Sequence, residues 1–407
     1  MDATTPSATS FLAAAEAVLP EAVRIRRRLH RHPEMGLQLP FTQSVVVEEL
    51  EKLGLTATTG RSTTSATAVI EGALPGPTIL LRADMDALPL QEDTGLEFAS
   101  ELDGTMHACG HDTHVAMLLG AAKLLAERRG DLAGRVLLMF QPGEEGHHGA
   151  RYMLEEGLLD AAGERVEAAF ALHISTRYAN RTINVRPGPM LASADRFEFI
   201  VRGRGGHASA PHLALDPIVI AAEIILALQT MVTRTVDTFD PAVITIAHVK
   251  AGTTNNIIPE VAYVEGTIRT LSEKTRASVH AGIRRLVDGI AAAHGATADL
   301  TIDPGFPVTL NDPAFTAYVV DVAGELLGAD QVLPLDAPLM GAEDFSYVLQ
   351  NVPGAMAMVG ARPAAEDPLT APQNHSNKVV FTEDAMAVGI AVHATVALQY
   401  AARAKRA

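Results

Sequence analysis

The pattern of apolar and polar positions predicts two structural parts in this chain. In the first part, apolar residues recur with helical spacing at residues 11–30, 42–53 and 115–129, which end near Pro33, Gly54 and Gly130. Short apolar runs typical of strands lie at residues 66–70, 78–83, 135–140 and 167–172, with a turn predicted at 75–77. Strands that alternate with helices in this way indicate an α/β fold, with a mostly parallel sheet and helices on both faces.

From about residue 192 the order of the elements changes. Predicted strands lie at 195–201, 242–249, 261–270 and 298–302, and predicted helices at 216–233 and 273–294. The resulting order, β-α-β-β-α-β, is that of a split ferredoxin-like α+β domain. The first pattern then returns, with helices at 312–327 and 382–403 and a strand at 355–360. We therefore predict a domain of residues 192–306 inserted into a larger domain formed by residues 1–191 and 307–407.

Polar side chains gather where three strands of the larger domain are predicted to end. Asp84 and Asp86 follow one strand, Glu144 and Glu145 follow the next, and His173 follows the third. Active sites of open α/β sheets lie at the carboxyl ends of the strands. This pattern therefore predicts a reactive site at one edge of the larger sheet.

Composition limits the partners of the chain. The 407 residues carry 32 Lys and Arg against 48 Asp and Glu, a formal net charge of -16. This balance argues against nucleic acid or an anionic membrane surface as a partner, because both bind a basic surface. The single cysteine excludes an intramolecular disulfide framework and favours a reducing, cytoplasmic location. Residues 1–6 lack the pattern of a signal peptide. No apolar run is expected to span a bilayer, because the nearest, 213–232, contains Asp216 and Glu223.

The arginine-rich segment of residues 24–31 contains five arginines and is expected to form a solvated face.

The most informative stretch is residues 106–114, which contains the only cysteine and three histidines. Cys109 and His111, separated by a glycine, can direct a thiolate and an imidazole toward one cation. Two alternatives are a buried, inert cysteine and a cysteine nucleophile with His111 or His114 as its base.

Hydrolysis at a metal requires ligands, an open position for water and a base that takes the proton of that water. The adjacent carboxylates of Glu144 and Glu145 can divide these tasks, one binding the metal and the other acting as the base. A pair of glutamates by itself is more typical of a solvated loop, but its position after a predicted strand favours a fixed turn. His173 and His375 are candidates to complete the ligand set.

Ten segments of the chain carry recognisable motifs, at residues 29–34, 82–89, 106–114, 141–146, 185–190, 203–212, 256–259, 266–269, 341–346 and 375–376. With them the chain resembles the M20 metallopeptidases, within these the amidohydrolase branch of hippurate hydrolases, N-acyl-amino-acid amidohydrolases and auxin-conjugate hydrolases. The resemblance implies a zinc-exopeptidase-like catalytic domain and an inserted domain that serves as a lid and in dimerisation. It implies a metal-dependent amidohydrolase that cleaves N-acyl amino acids into a carboxylate and a free amino acid. The nearest alternative is an M20-type dipeptidase or a deacetylase of another amino-acid derivative.

The resemblance also implies roles for individual residues. One or two divalent cations per subunit (Zn, Mn, Ni or Co) are expected to be bound by Cys109, His111, Glu145, His173 and His375. Glu144 is expected to be the catalytic base, and Asp86 to orient a ligand. In the inserted domain, Asn256 and Arg269 are expected to bind the substrate carboxylate. His207 is expected to reach the site of the neighbouring subunit and stabilise the oxyanion, in a homodimer or homotetramer.

Departures from the commoner motifs occur at His147-His148, at Asn255 and at residues 374–377. They remove no expected ligand, but they alter the expected pocket walls, so the family's acyl-group specificity does not transfer. The intact Glu144-Glu145 pair argues against a metal-binding protein that has lost catalysis, because such a protein would not need the base.

Overall fold

The structure is a computed structural model that describes residues 8–404. Residues 1–7, which include the segment predicted not to be a signal peptide, and residues 405–407 lie outside the described residues. The chain divides into two compact units. The larger contains the chain up to Met190, Leu310–Ala337 and the chain from Asp344 onward, and the smaller contains Leu191–Thr309 and Pro338–Glu343. The smaller unit thus includes a short segment that the sequence-based boundaries place in the larger domain.

The helices of the described residues are, in chain order, α1 (Ala8–Arg31), α2 (Pro40–Lys52), α3 (His111–Glu127), α4 (Gly149–Glu155), α5 (Pro217–Thr235), α6 (Glu273–Ala293), α7 (Pro313–Leu327), α8 (Ser346–Leu349) and α9 (Ala385–Ala404). The strands are β1 (Ala57–Thr59), β2 (Ala66–Glu71), β3 (Leu74–Asp84), β4 (Ala133–Gln141), β5 (Val166–Ala179), β6 (Ile183–Val185), β7 (Gly188–Leu191), β8 (Ala194–Arg202), β9 (Gly206–His207), β10 (Ala242–Ala251), β11 (Ile257–Ile258), β12 (Val261–Thr270), β13 (Thr297–Phe306), β14 (Thr309–Asn311), β15 (Val332–Pro334) and β16 (Gly354–Arg362).

The larger unit is built on an eight-stranded sheet with the order β1-β2-β4-β3-β5-β16-β6-β15. The central strands β4, β3, β5 and β16 are parallel neighbours, and β1, β2 and β6 add antiparallel pairs. Uninterrupted apolar runs occupy residues 79–81 of β3 and 136–140 of β4, and both strands are buried along most of their length, as parallel strands covered on both faces are. Helices α1, α3, α7 and α9 pack against one another beside this sheet. The predicted α/β fold with a mostly parallel sheet is confirmed.

The smaller unit is an antiparallel four-stranded sheet with the order β10-β12-β8-β13, against which α5 and α6 pack. Its chain order, β8-α5-β10-β12-α6-β13, confirms the predicted split ferredoxin-like domain. Its separate core includes Phe197, Phe199, Ile224, Val264 and Ile283. The side chains of Asp216 and Ser272 cap the N-termini of α5 and α6, which fixes where these two helices begin.

Helix α5 is strongly apolar. Among the described residues it is the one helix long and apolar enough to cross a membrane, and 28% of its 18-residue apolar stretch is buried. The expectation that no apolar run is long enough to span a bilayer is therefore wrong for this helix. Asp216 does not interrupt the run, because it lies before the helix as its cap, and Glu223 is the one acidic residue inside it. Length and composition do not separate a membrane span from a helix that packs on a sheet, as α5 does.

Several local predictions are wrong. Residues 75–77, predicted as a turn, lie inside β3, where the pairing with β4 shifts register between Leu74 and Thr78. The Pro-Gly-Pro sequence stays extended there because bulged residues need no ladder hydrogen bond. His173, predicted to follow a strand, lies inside β5. Helix α3 begins at His111 rather than at residue 115, which places His111 and His114 in its first turn.

The arginine-rich segment is not uniformly solvated, which corrects the prediction. Arg26 is buried, and its Nε donates a hydrogen bond to Asp112 at 3.0 Å. His30 is also buried, with Nδ1 2.8 Å from the same carboxylate oxygen of Asp112. Because residues four apart share a helix face, Arg26 and His30 lie on the face of α1 that packs against α3.

Candidate metal centre

A tight turn brings Cys109 and His111 together. Gly110 caps the N-terminus of α3 with φ at 93°, and a Cβ atom there would lie 2.4 Å from Cγ2 of Ile174. Only glycine meets both conditions without strain. The turn allows the side chain just before the helix and the first side chain of the helix to approach one position.

The five predicted ligands lie together in the larger unit. Sγ of Cys109 lies 3.3 Å from Nε2 of His173 and 3.3 Å from Nε2 of His375. Nε2 of His375 also lies 3.3 Å from Oε1 of Glu145. Two groups of three ligand atoms, mutually within 4.8 Å, share the sulfur: Cys109 with His111 and His173, and Cys109 with Glu145 and His375.

Hydrogen bonds assign the histidine nitrogens that are available to a cation. Nδ1 of His111 lies 2.8 Å from the Asp86 carbonyl, and Nδ1 of His173 lies 2.7 Å from the Ile174 carbonyl, so each Nδ1 donates. The lone pairs of the two Nε2 atoms remain for a metal. Nε2 of His111 is buried without a hydrogen-bond partner, which is costly unless another group binds it. Thiolate, imidazole and carboxylate form the donor set of zinc-type sites, so these residues fit a divalent cation.

Negative charge is concentrated around these histidines. Burial lowers the pKa of His111, but Asp84 and Cys109 raise it well above its usual value. Hydrogen bonds to Cys109 and Glu145 raise the pKa of His375 to about 10. Burial raises the pKa of Glu145, and the hydrogen bond to His375 lowers it to a net value below its usual one. A divalent cation would replace the protons that these groups attract.

The surroundings of Cys109 argue against the nucleophile alternative. Burial raises the pKa of the Cys109 thiol, although His111 opposes this effect. Nucleophilic cysteines need a lowered pKa and an accessible sulfur, whereas Cys109 is buried. A role as a metal ligand agrees better with both observations.

Asp86 fixes both glutamates of the predicted pair. Its Oδ1 accepts a hydrogen bond from the Glu144 N–H at 2.9 Å, and its Oδ2 accepts one from the Glu145 N–H at 3.0 Å. Glu144 is buried, with a carboxylate oxygen within 4.8 Å of ligand atoms of His111 and Glu145. The carboxylate of Glu144 is therefore adjacent to the ligand cluster, as a base for water at that cluster must be.

Sequence reasoning missed the role of Asn374. Its Nδ2 donates hydrogen bonds to the carbonyl oxygens of Cys109 and Ile174, both at 2.9 Å. The neighbouring His375 has φ at 70°, and its N–H donates to the Ala108 carbonyl at 2.9 Å. Asn374 thus ties three ligand-bearing segments together. Its position beside a candidate ligand was the available signal.

Sequence reasoning also missed a polar network behind the ligands. The network is fully buried and consists of Arg82, Asp84, His114, Gln141 and Asp344. Arg82 donates to Asp84 at 2.7 Å, to Gln141 at 2.9 Å and to Asp344 at 3.2 Å. An arginine inside an otherwise apolar strand was the signal, since a buried charge requires partners.

The other three predicted site residues lie in the smaller unit. Strand β9 pairs with β11, and the Ala208 N–H donates to the Asn256 carbonyl, so His207 and Asn256 share one exposed ribbon. Nδ1 of His207 accepts from the Ser209 N–H at 3.1 Å, so its proton lies on Nε2. Arg269 lies on β12 and is partly buried, which lowers the pKa of its guanidinium.

The departures from the commoner motifs have defined positions in the larger unit. His147 is exposed and lies against Gly36, while Nδ1 of His148 lies 2.9 Å from the hydroxyl oxygen of Tyr347. His148 has φ at 60° and precedes the first residue of α4. Both histidines therefore lie beside the Glu144-Glu145 turn.

Comparison with known proteins agrees with this geometry. The family described as "Peptidase family M20/M25/M40" matches residues 80–399. Thermostable carboxypeptidase 1 of Saccharolobus solfataricus is 40% identical, over 93% of this chain and 95% of its own. N-acetylcysteine deacetylase of Bacillus subtilis is 41% identical, over 84% of this chain and 89% of its own. A solved Bacillus subtilis structure, described as a dinuclear metal binding peptidase from the M20 family, matches with a TM-score of 0.81 at 36% identity, over 95% of this chain and 99% of its own. The chain belongs to peptidase family M20/M25/M40.

Proposed function

We propose that this metal-dependent amidohydrolase cleaves the amide bond of N-acyl amino acids and releases a carboxylate and a free amino acid. The observation that carries the proposal is the convergence of four candidate ligand side chains on Cys109, with Glu144 beside them. The likeness to N-acetylcysteine deacetylase supports an N-acylated amino acid as the substrate.

The metal would be held by Cys109, His111, Glu145, His173 and His375. When bound, one or two divalent cations supply Lewis acidity, which activates water and polarises the substrate carbonyl. Glu144 takes the proton of the attacking water and passes it to the leaving amine. The bonds from Asp86 to the Glu144 and Glu145 N–H groups support this division of roles, because they hold the two carboxylates in place. Zinc is favoured over Mn, Ni or Co because thiolate and imidazole ligands suit it.

Residues of the smaller unit complete the proposed mechanism. His207, with its proton on Nε2, is suited to donate a hydrogen bond to the developing oxyanion in the site of a second copy of the chain. Asn256 and Arg269 are proposed to bind the substrate carboxylate, for which a guanidinium has the appropriate planar geometry. The exposure of His207 and Asn256 supports contact with another molecule.

We also propose a homodimer or homotetramer that forms through the smaller unit. Ile218, Val219 and Leu226 of α5 expose 42%, 59% and 69% of their surfaces, an unusual amount for large apolar side chains on one helix. Strand β10 is an edge of the four-stranded sheet. A second copy would cover both features.

We also propose a cytoplasmic location, which the single cysteine supports.

Release of free amino acid from acetyl-, benzoyl-, long-chain-acyl and indolyl-acyl amino acids tests the proposed function. Metal is removed with a chelator and restored as Zn, Mn, Ni or Co, and the released amine is quantified. We expect activity to disappear with the chelator and to return with at least one metal. Failure of the metal-loaded protein to hydrolyse any acyl amino acid would refute the proposal.

A peptidase that releases the C-terminal residue of a peptide is a second candidate. The likeness to thermostable carboxypeptidase 1 favours it. Free dipeptides and N-blocked dipeptides in the same assay separate the two candidates. A higher kcat/KM for simple acyl amino acids supports the first, and a higher kcat/KM for peptides supports the second.

A further inference from the structure

A row of buried polar side chains runs from the interior of the larger unit to the ligand strand β5. Oδ2 of Asp84 accepts a hydrogen bond from Nη1 of Arg82 at 2.7 Å. Oδ1 of Asp84 lies 2.5 Å from Nδ1 of His114, and Nε2 of His114 lies 2.8 Å from the Ile174 nitrogen. All three side chains are at most 1% exposed. The row ends at the residue that follows His173.

The contacts of His114 determine its tautomer. A backbone N–H is always a donor, so Nε2 of His114 must accept from Ile174, and its proton therefore lies on Nδ1. Nδ1 then donates to Asp84. Asp84, His111 and His114 lie close enough to one another to hold a metal. His114 nevertheless has no lone pair left for one, and it acts as a spacer between Asp84 and β5.

This row of side chains contacts His111 and His173, two candidate ligands that share one three-residue group. His173 donates through Nδ1 to the Ile174 carbonyl, while the N–H of Ile174 is held by His114. The rings of His114 and His173 also meet edge to face, with centroids 4.7 Å apart. On the other side, Oδ2 of Asp84 lies 3.4 Å from Nε2 of His111. His111 and His173 belong to the group that they form with Cys109.

We propose that Asp84, acting through His114, is a positioning residue for the cation held by Cys109, His111 and His173. The cation held by Cys109, Glu145 and His375 does not depend on it. The inference rests on the proposed function only in requiring that cations bind. Partners that orient metal-binding histidines in this way typically strengthen metal binding about 10- to 100-fold.

Two variants test the proposal. Asp84→Asn cannot accept hydrogen bonds from both Arg82 and His114, because one of the two amide atoms is itself a donor. His114→Leu keeps the ion pair of Asp84 and Arg82 but removes both the proton donor to Asp84 and the acceptor of the Ile174 N–H. Asp112→Asn is the matched control: Asp112 is a fully buried carboxylate in the same helical turn, but Arg26 and His30 of α1 are its partners.

The readout is metal binding, without substrate. Metal-free protein is titrated with Co²⁺ in competition with a chromophoric chelator, and the thiolate-to-cobalt absorption and the bound metal per chain are recorded. We expect Asp84→Asn and His114→Leu to weaken one cation equivalent about 10- to 100-fold and to leave the other unchanged. Asp112→Asn should lower the melting temperature and leave both equivalents unchanged.

Equal weakening of both equivalents, or no weakening of either, would overturn the proposal. The proposal would also be overturned if the wild-type chain bound a single equivalent of Co²⁺ and neither variant weakened its binding. If Asp84→Asn does not fold, the result for His114→Leu decides. If both fail to fold while Asp112→Asn folds, the row is purely structural and the proposal is overturned. Failure of the proposed function would differ, because cations would bind normally and no acyl amino acid would be hydrolysed.

Discussion

Raising the pH is expected to destabilise the protein through His30. Nδ1 of His30 lies 2.8 Å from Asp112, Nε2 lies 3.3 Å from Glu92, and the guanidinium of Arg26 shares the Asp112 carboxylate. Burial lowers the pKa of His30. The negative charge of Asp112 and the hydrogen bonds to Asp112 and Glu92 outweigh this effect and raise the pKa to about 9. The folded pKa therefore exceeds that of an unfolded histidine, about 6.5. The stabilising contribution of His30 is complete below about pH 6.5 and is lost as the pH rises through about 9.

The size of this contribution follows from the two pKa values. A difference of about 2.5 units, at about 1.4 kcal/mol per unit, corresponds to about 3 kcal/mol of unfolding free energy. His30→Asn removes the titrating ring and retains an N–H donor toward Asp112. Denaturant unfolding of both metal-free proteins is compared between about pH 6 and about pH 9.5. The stability advantage of the wild type should shrink by about 3 kcal/mol over this range. Parallel pH profiles of the two proteins would show that His30 does not make this contribution.

Other predictions concern the buried network and the metal. Arg82→Met should cost about 3–5 kcal/mol of unfolding free energy, because Asp84 and Asp344 lose a buried guanidinium; a loss below about 1 kcal/mol in denaturant unfolding would contradict this. Asn374→Ala should lower stability by about 1–3 kcal/mol and weaken metal binding, because the Cys109 and Ile174 carbonyls lose a shared donor. Unchanged melting temperature and metal content after dialysis would be the contrary result. Chelation should lower the melting temperature, since cations bind the folded site, and added metal should restore it; a melting temperature that ignores the chelator would count against the site.

Features that depend on neighbouring residues were predictable from sequence. The β-α-β-β-α-β order of the smaller unit follows from local periodicity, and Gly54 and Pro33 lie just beyond the ends of their helices as predicted. The resemblance to M20 metallopeptidases and the class of metal-dependent amidohydrolase are confirmed by the family match and the relatives. The roles of individual residues, such as Glu144 as the base, stay predictions.

Features that depend on residues far apart in sequence were not predictable. Arg26 is buried because Asp112, 86 positions later, packs against it, and no property of the arginine-rich segment indicates that partner. Asn374 binds the Cys109 carbonyl across 265 positions. His173 lies inside its strand because β5 continues to pair with β16 beyond it, through Ser175 and Gly360. In each case a tertiary contact decides the local structure.

The variant Glu144→Gln tests whether Glu144 is the catalytic base, with hydrolysis and bound metal measured on the same preparation. Glutamine keeps the shape of the side chain but cannot take the proton of the attacking water. Glu145→Gln is the comparison, and it should lower the metal content as well as the activity because Glu145 is proposed as a ligand. For Glu144→Gln we predict a fall in kcat of about 10²- to 10⁴-fold with the metal content of the wild type. Hydrolysis at the wild-type rate by a metal-loaded Glu144→Gln protein would contradict the central claim that Glu144 is the base.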